Sequence, residues 1–296
     1  MKTGETREPE EAGDSKQHRA TAWHQIFGAL LGERGPAAVQ IQAEPTLSAY
    51  PRRPDFLLLR RPSTKIDSEA GRDAQILRGL WPRLTRVSLV ELKSPARDFR
   101  KRELVRLLGY GVQYHEQHLD DLAGPEDLSL VLVMLRPTPS LHAEIAHMGW
   151  SLQPLEPGYA RIAGVMYTTL VVFTDEVTRA EDDDFIRIFS HHPVQRRETR
   201  WWLEQWLERT KSMNEPHQDP SDLEGYDEVL RKLLESLPVE ERLVGLSPEE
   251  RVAGLGPEER LLTLPDEALR ALSDDYLRTL SPATQAILRT RIGRPT

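Results

Sequence analysis

The stretch VSLVELKSP, Val87 to Pro95, decides how the chain is read. Its valines and leucines are those of a buried β-strand, yet it carries a carboxylate at Glu91 and an ammonium at Lys93. Side chains of a strand alternate between faces, so Glu91 and Lys93 project together while Val90 and Leu92 project the other way. An unpaired charge on a buried strand is costly, which points to a site at the strand's open end. A plain ion pair on one face of an edge strand is the alternative.

On the upstream side, PDFLLLRR is a short apolar strand opened by Pro54, with Asp55 at its start, and AVQIQAE alternates as a strand before it. Trp23, Ile26, Phe27, Leu30 and Leu31 repeat as on an amphipathic helix, which GERGP ends. An irregular polar insertion around residues 61–85 separates the second strand from the third. Downstream, residues 98–118 return to a helical period, with Leu104, Leu107, Leu108 and Val112 on one stripe, and LSLVLVMLRP follows as a buried strand. The order αβββαβ predicts a mixed sheet flanked by helices, an α/β fold. A short helical stretch near residues 141–148 comes next, then strands in WSLQPLEPGYARIAG and MYTTLVVFTDEV, and helices near 182–190 and 195–210.

The segment TKSMNEPHQDPSD is polar and broken by prolines, which marks a boundary. The chain is thereby divided into a tail without fixed structure at 1–19, an α/β domain at 20–210, a linker and helix at 211–237, and short repeats at 238–296. The repeats read PVEERLVGL, SPEERVAGL, GPEERLLTL, PDEALRAL, SDDYLRTL and SPATQAIL, with Leu246, Leu255, Leu264, Leu272 and Leu280 marking the period. Within SPEE, Ser247 can cap a helix, Pro248 suits its first position and Glu250 completes a capping box. Each repeat is thus one or two helical turns that must stack on neighbours or a partner to bury its leucines, an all-α appendage.

The chain has no cysteine, which excludes disulfides and thiolate metal sites and suits a reducing compartment, the cytoplasm by default. The polar first twenty residues exclude a signal peptide, and no apolar run approaches the roughly 18 residues of a membrane span. The net charge of -8 argues against indiscriminate coating of nucleic acid. Its distribution is uneven: Pro51 to Arg106 holds about 15 Lys and Arg against about 7 Asp and Glu, and the remainder of the chain after Arg106 is acidic.

Two carboxylates and a lysine on neighbouring strands suit metal-assisted hydrolysis. Asp55 and Glu91 can hold Mg²⁺ through carboxylate oxygens, with waters and a phosphate completing the octahedron, and Lys93 beside them stabilises hydroxide or the pentavalent phosphate charge. This arrangement, Pro-Asp on one strand and Glu-x-Lys on the next before a helix, resembles the PD-(D/E)xK nuclease superfamily over residues 20–210. VELKSP leading into RELVRLLGYGVQYH is similar to the recombination-promoting nuclease and putative transposase relatives, which can also carry leucine- and glutamate-rich C-terminal repeats. The resemblance implies a restriction-endonuclease-like mixed sheet, metal ligation by Asp55 and Glu91, and a catalytic role for Lys93. It also offers auxiliary positions: Glu33 on the first helix as an aid to the metal, and Tyr110, Gln113 and Tyr114 on the helix after Lys93. The long insertion between Asp55 and Glu91 departs from the family pattern.

Arg52, Arg53, Arg60, Arg61, Arg97, Arg100, Lys101 and Arg102 flank the two motif strands and are read as guides for a phosphate backbone. Three other features read as structural. EDDDF, residues 181–185, suits a helix N-terminus; SHHP suits a solvated helix end; Trp201, Trp202 and Trp206, with Leu203 and Leu207, suit a packed helix. The leading expectation is a Mg²⁺-dependent DNA endonuclease, with Mn²⁺ as a substitute, acting in recombination or mobile-element biology. The alternative is a catalytically silent nuclease-fold adaptor that binds nucleic acid or protein, with the repeats recruiting a protein partner. A purely structural protein leaves the basic surplus around the motif unexplained.

Overall fold

The computed structural model describes residues 21–45, 54–60, 74–95, 97, 99–213, 223–242 and 247–293. The tail at 1–19, Arg52, Arg53, Arg61, Leu246 and much of the linker lie outside the described residues. The chain divides into two compact units, Met1–Ser236 and Leu237–Thr296.

The first unit opens with α1 (Ala22–Arg34), β1 (Val39–Ala43), β2 (Phe56–Arg60), β3 (Val87–Leu92), α2 (Glu103–Gln117), β4 (Leu128–Met134) and α3 (Pro139–His147). A hairpin of β5 (Ser151–Glu156) and β6 (Tyr159–Ala163) follows, then β7 (Thr168–Phe173), α4 (Thr174–Ala180), α5 (Arg197–Met213) and α6 (Tyr226–Ser236). The strands form one seven-stranded mixed sheet in the order β1-β2-β3-β4-β7-β6-β5. Central strands β3, β4 and β7 run parallel, and the outer pairs are antiparallel. Because both faces of the centre are covered, its strands read as nearly continuous apolar runs rather than alternating ones. Phe56, Leu58, Val90, Val131, Val133 and Val172 pack with α1, α5 and α6 on one face. On the other, Leu57, Leu89, Leu130, Leu132 and Val171 pack with α2 and α3.

Several expectations are corrected. The insertion before β3 is not wholly polar: Ile76, Leu77, Leu80, Trp81 and Leu84 are buried in the first core, because Trp81 Nε1 donates to the Ile76 carbonyl at 2.7 Å and closes a compact turn. Residues 182–190 hold only a 3-10 turn, Ile186–Phe189: Asp183 Oδ1 accepts from the amides of Phe185 and Ile186, and the oxygens of Asp184 from those of Gln195 and Arg196 ahead of α5. Trp202 and Trp206 are buried, whereas Trp201 is 58% exposed on the opposite face of α5. The first unit extends past residue 210 to include α6, whose Tyr226, Val229 and Leu233 join the α1 side of the core.

The second unit comprises α7 (Val239–Arg242), α8 (Pro248–Val252), α9 (Pro257–Leu262), α10 (Asp266–Arg270), α11 (Asp274–Arg278) and α12 (Pro282–Ile292). Ser247 and Glu250 form the expected reciprocal cap at α8. The buried leucines are Leu261, Leu269 and Leu277, one turn ahead of the period-marking Leu264, Leu272 and Leu280, and they pack with Leu288 and Ile292 of α12. The period-marking leucines lie two residues past each helix end, and Leu272 and Leu280 are only partly buried against this cluster. No helix among the described residues is long and apolar enough to cross a membrane.

Candidate active site

The β2–β3 ladder ends at the pair Phe56 and Val90. Beyond it the Leu92 amide donates to Oδ2 of Asp55 at 2.6 Å, so a carboxylate takes the place of a strand carbonyl. Because β2 and β3 are antiparallel, the start of one and the end of the other meet at the same sheet edge. This brings Asp55 to Glu91 and Lys93 across an insertion of more than two dozen residues.

Asp55 is held from the α1 side as well. Its Oδ1 lies 3.2 Å from Nε2 of His24 in the first turn of that helix. The Thr21 hydroxyl is 2.8 Å from His24 Nδ1, and the Thr21 amide donates to the same nitrogen at 3.3 Å. Nδ1 is therefore the acceptor, which leaves the ring proton on Nε2, aimed at Asp55. Burial works against a charged ring, but the hydrogen bond and charge of Asp55 outweigh it and hold the His24 pKa above its ordinary value.

Glu91 is 7% exposed. Its Oε1 accepts from Lys93 Nζ at 2.9 Å, while its Oε2 is buried without a hydrogen-bond partner. Burial, then the charge of Asp55, pushes the Glu91 carboxyl up to about 7 against the opposing pull of Lys93. That pull is shared, because Lys93 Nζ lies equally close, 2.9 Å, to Oε1 of Glu103. Burial alone would lower the Lys93 pKa, yet the two carboxylates raise it.

Glu103 reaches Lys93 because the start of α2 is fixed locally. Arg102, in the cap position, adopts φ 77°, a left-handed conformation that disfavours an arginine by about 1–2 kcal/mol. Two glutamates stabilise the turn: Glu103 Oε2 accepts from the Arg100 amide at 2.8 Å, and Glu144 of α3 accepts from the amides of Arg102 and Val105. Carboxylates at a helix N-terminus also favour its dipole.

Of the expected auxiliary residues, Glu33 is engaged elsewhere. Glu33 stands nine residues beyond His24, about 14 Å along the helix, and accepts from Trp202 Nε1 at 2.6 Å, so it locks α1 to α5. Tyr110 is buried in the α2 face of the core, and Gln113 lies three turns, about 15 Å, beyond Glu103. Tyr114 stacks on His118 with ring centroids 4.0 Å apart. Of the basic residues, Arg60 is partly buried, with its pKa lowered by burial, and donates to the Trp81 carbonyl at 2.9 Å; it is a packing residue. Arg97 pairs with Glu224. Arg100, Lys101 and Arg102 are exposed beside the site.

His24, Glu103 and Glu144 are site residues that the sequence reading passes over. His24 carries a local signal, the third residue after a capping threonine, but nothing local ties it to Asp55. Among the described residues no three His, Asp or Glu side chains gather as a metal-binding group, so a cation here would rest on Asp55 and Glu91. The orphaned Glu91 Oε2 beside a second carboxylate fits that role. Comparison with protein-family models, curated proteins and solved structures finds no match to the chain.

Proposed function

We propose that the chain is a metal-dependent endonuclease of the PD-(D/E)xK type acting on DNA, with Asp55 and Glu91 as cation ligands and Lys93 as the catalytic cation. The observation that carries this reading is Glu91 Oε2, a carboxylate oxygen buried without a partner and pressed by the charge of Asp55. Held by Asp55 and Glu91, a divalent ion with hard oxygen preference would relieve that repulsion. Mg²⁺ or Mn²⁺ would supply Lewis acidity and an activated water at this edge. The Leu92 amide and His24 hold Asp55 in place, and Glu103 would keep Lys93 at the site with Glu91 given over to a cation. Lys93 then stabilises charge that develops on the phosphate. The αβββαβ order supports the restriction-endonuclease-like arrangement. The short C-terminal helices would form the protein-binding appendage, and the setting would be recombination or mobile-element biology in the cytoplasm.

A silent adaptor is the second reading. It is favoured by one observation: Lys93 lies between two carboxylates and is only 10% exposed.

Plasmid nicking with Mg²⁺ or Mn²⁺, run beside calorimetric metal titration, separates the two. Asp55→Ala and Glu91→Ala are expected to lose metal affinity and cleavage together. Lys93→Ala is expected to keep metal binding while cleavage falls by orders of magnitude, because transition-state stabilisation alone is removed. A wild type that neither binds metal nor nicks moves the weight to the adaptor.

A further inference from the structure

The parallel strands β3, β4 and β7 end on one edge of the sheet, in register from Glu91 through Leu132 to Val171. Lys93 directly follows the first of them. The second runs into Arg136, which is exposed. Past the third, the Asp175 amide donates to the Leu135 carbonyl at 3.0 Å, so the start of α4 sits directly beside Arg136.

Asp175 carries His191 in a two-point grip. Its Oδ1 accepts from the His191 amide and its Oδ2 lies against Nδ1, each at 2.8 Å. The neighbouring carbonyls, Ser190 and His192, both accept from Nζ of Lys232, at 2.6 and 2.7 Å. Lys232 is buried, and burial pulls its pKa down to about 8. A buried lysine clasping the carbonyls on both sides of one histidine is an expensive way to hold a loop. It fixes an imidazole that is itself half exposed, with Nδ1 on Asp175.

Lys93 thus lies one residue past β3, Arg136 two residues past β4, and His191 is tied to Asp175, two residues past β7. Resting on the nuclease reading above, we propose that Arg136 and His191 continue the site as a phosphate track, gripping the backbone of a nucleic-acid strand beyond the scissile bond. Arg136 supplies a guanidinium fork suited to phosphate oxygens. His191, held through Nδ1 by Asp175, contacts a phosphate oxygen through Nε2. Such contacts fix the path of the strand and carry no base information.

The test is equilibrium binding of a short fluorescent DNA at several salt concentrations, with plasmid nicking in parallel. Arg136→Ala and His191→Ala are each expected to weaken binding several-fold, independently of DNA sequence, and to flatten the slope of log affinity against log salt by about one unit. Melting temperatures should stay near wild type, and His191→Lys should restore the slope, which a purely structural role would not. If the wild type nicks DNA but neither alanine variant changes affinity or slope, the track is wrong and the nuclease reading stands. If the wild type neither binds nor nicks, both fall.

Discussion

Asp183 shows how little an acidic run discloses about its members. Within EDDDF, Asp182 is exposed, whereas Asp183 and Asp184 are buried. Asp183 Oδ1 accepts from the amides of Phe185 and Ile186 at 3.0 and 3.2 Å, and its Oδ2 is buried without a partner. Burial pushes its pKa up to about 6 from 3.8, against those amide bonds. The fold therefore favours the protonated acid. Its stabilising contribution is full below the unfolded value, shrinks as pH rises toward 6, and is gone above it. Asp183→Asn keeps the accepting oxygen and removes the charge, so it is expected to be more stable than wild type above pH 6, by up to about 3 kcal/mol. The gain should vanish near pH 4. Urea unfolding across that range measures it, and a difference that does not change with pH would show that Asp183 is ionised throughout. At Glu91, by contrast, the sequence does signal the site, because a charge inside an apolar strand is anomalous in its own immediate context.

Helix α6 belongs to the first unit for reasons of packing. The Ala22 amide donates to the Glu224 carbonyl at 2.8 Å, which ties the start of α1 to the approach of α6. Gly225, at φ +86°, passes so near Trp23 that an added Cβ would lie 2.8 Å from its ring. Tyr226, Val229 and Leu233 then cover the α1 side of the core, each worth about 1.5–3 kcal/mol of burial. A chain ending at Ser236 is expected to fold and unfold cooperatively. One ending at Thr210 should lose most of that stability or become insoluble, and circular dichroism melts of the two would decide it. Equal melting temperatures would place α6 outside the core. The helix itself is legible in YDEVLRKLLES, with its apolar residues on one face. Its destination is not, because the polar segment before it separates it along the chain from every surface it covers.

Charge acts over the whole molecule, and its location outweighs the total of -8. Arg100, Lys101 and Arg102 are exposed at the start of α2, beside Lys93 and Glu103, where a phosphate backbone entering the site would pass. Replacing all three with alanine is expected to lower the salt slope of DNA binding by up to about three units, as read by fluorescence anisotropy. An unchanged slope would take them off the binding surface. The sheet, α1, α2, the Ser247 cap of α8 and the strand-end positions of Asp55, Glu91 and Lys93 are all legible along the chain, because alternation, helical period and capping relate residues a few positions apart. Where partners lie far apart in sequence, such spacing is silent. Lys93 with Glu103, His24 with Asp55, Glu33 with Trp202 and His191 with Asp175 meet only once the sheet has formed. A hydrogen bond acts over about 3 Å, and the order in which β3, β4 and β7 pair sets which residues come within that reach.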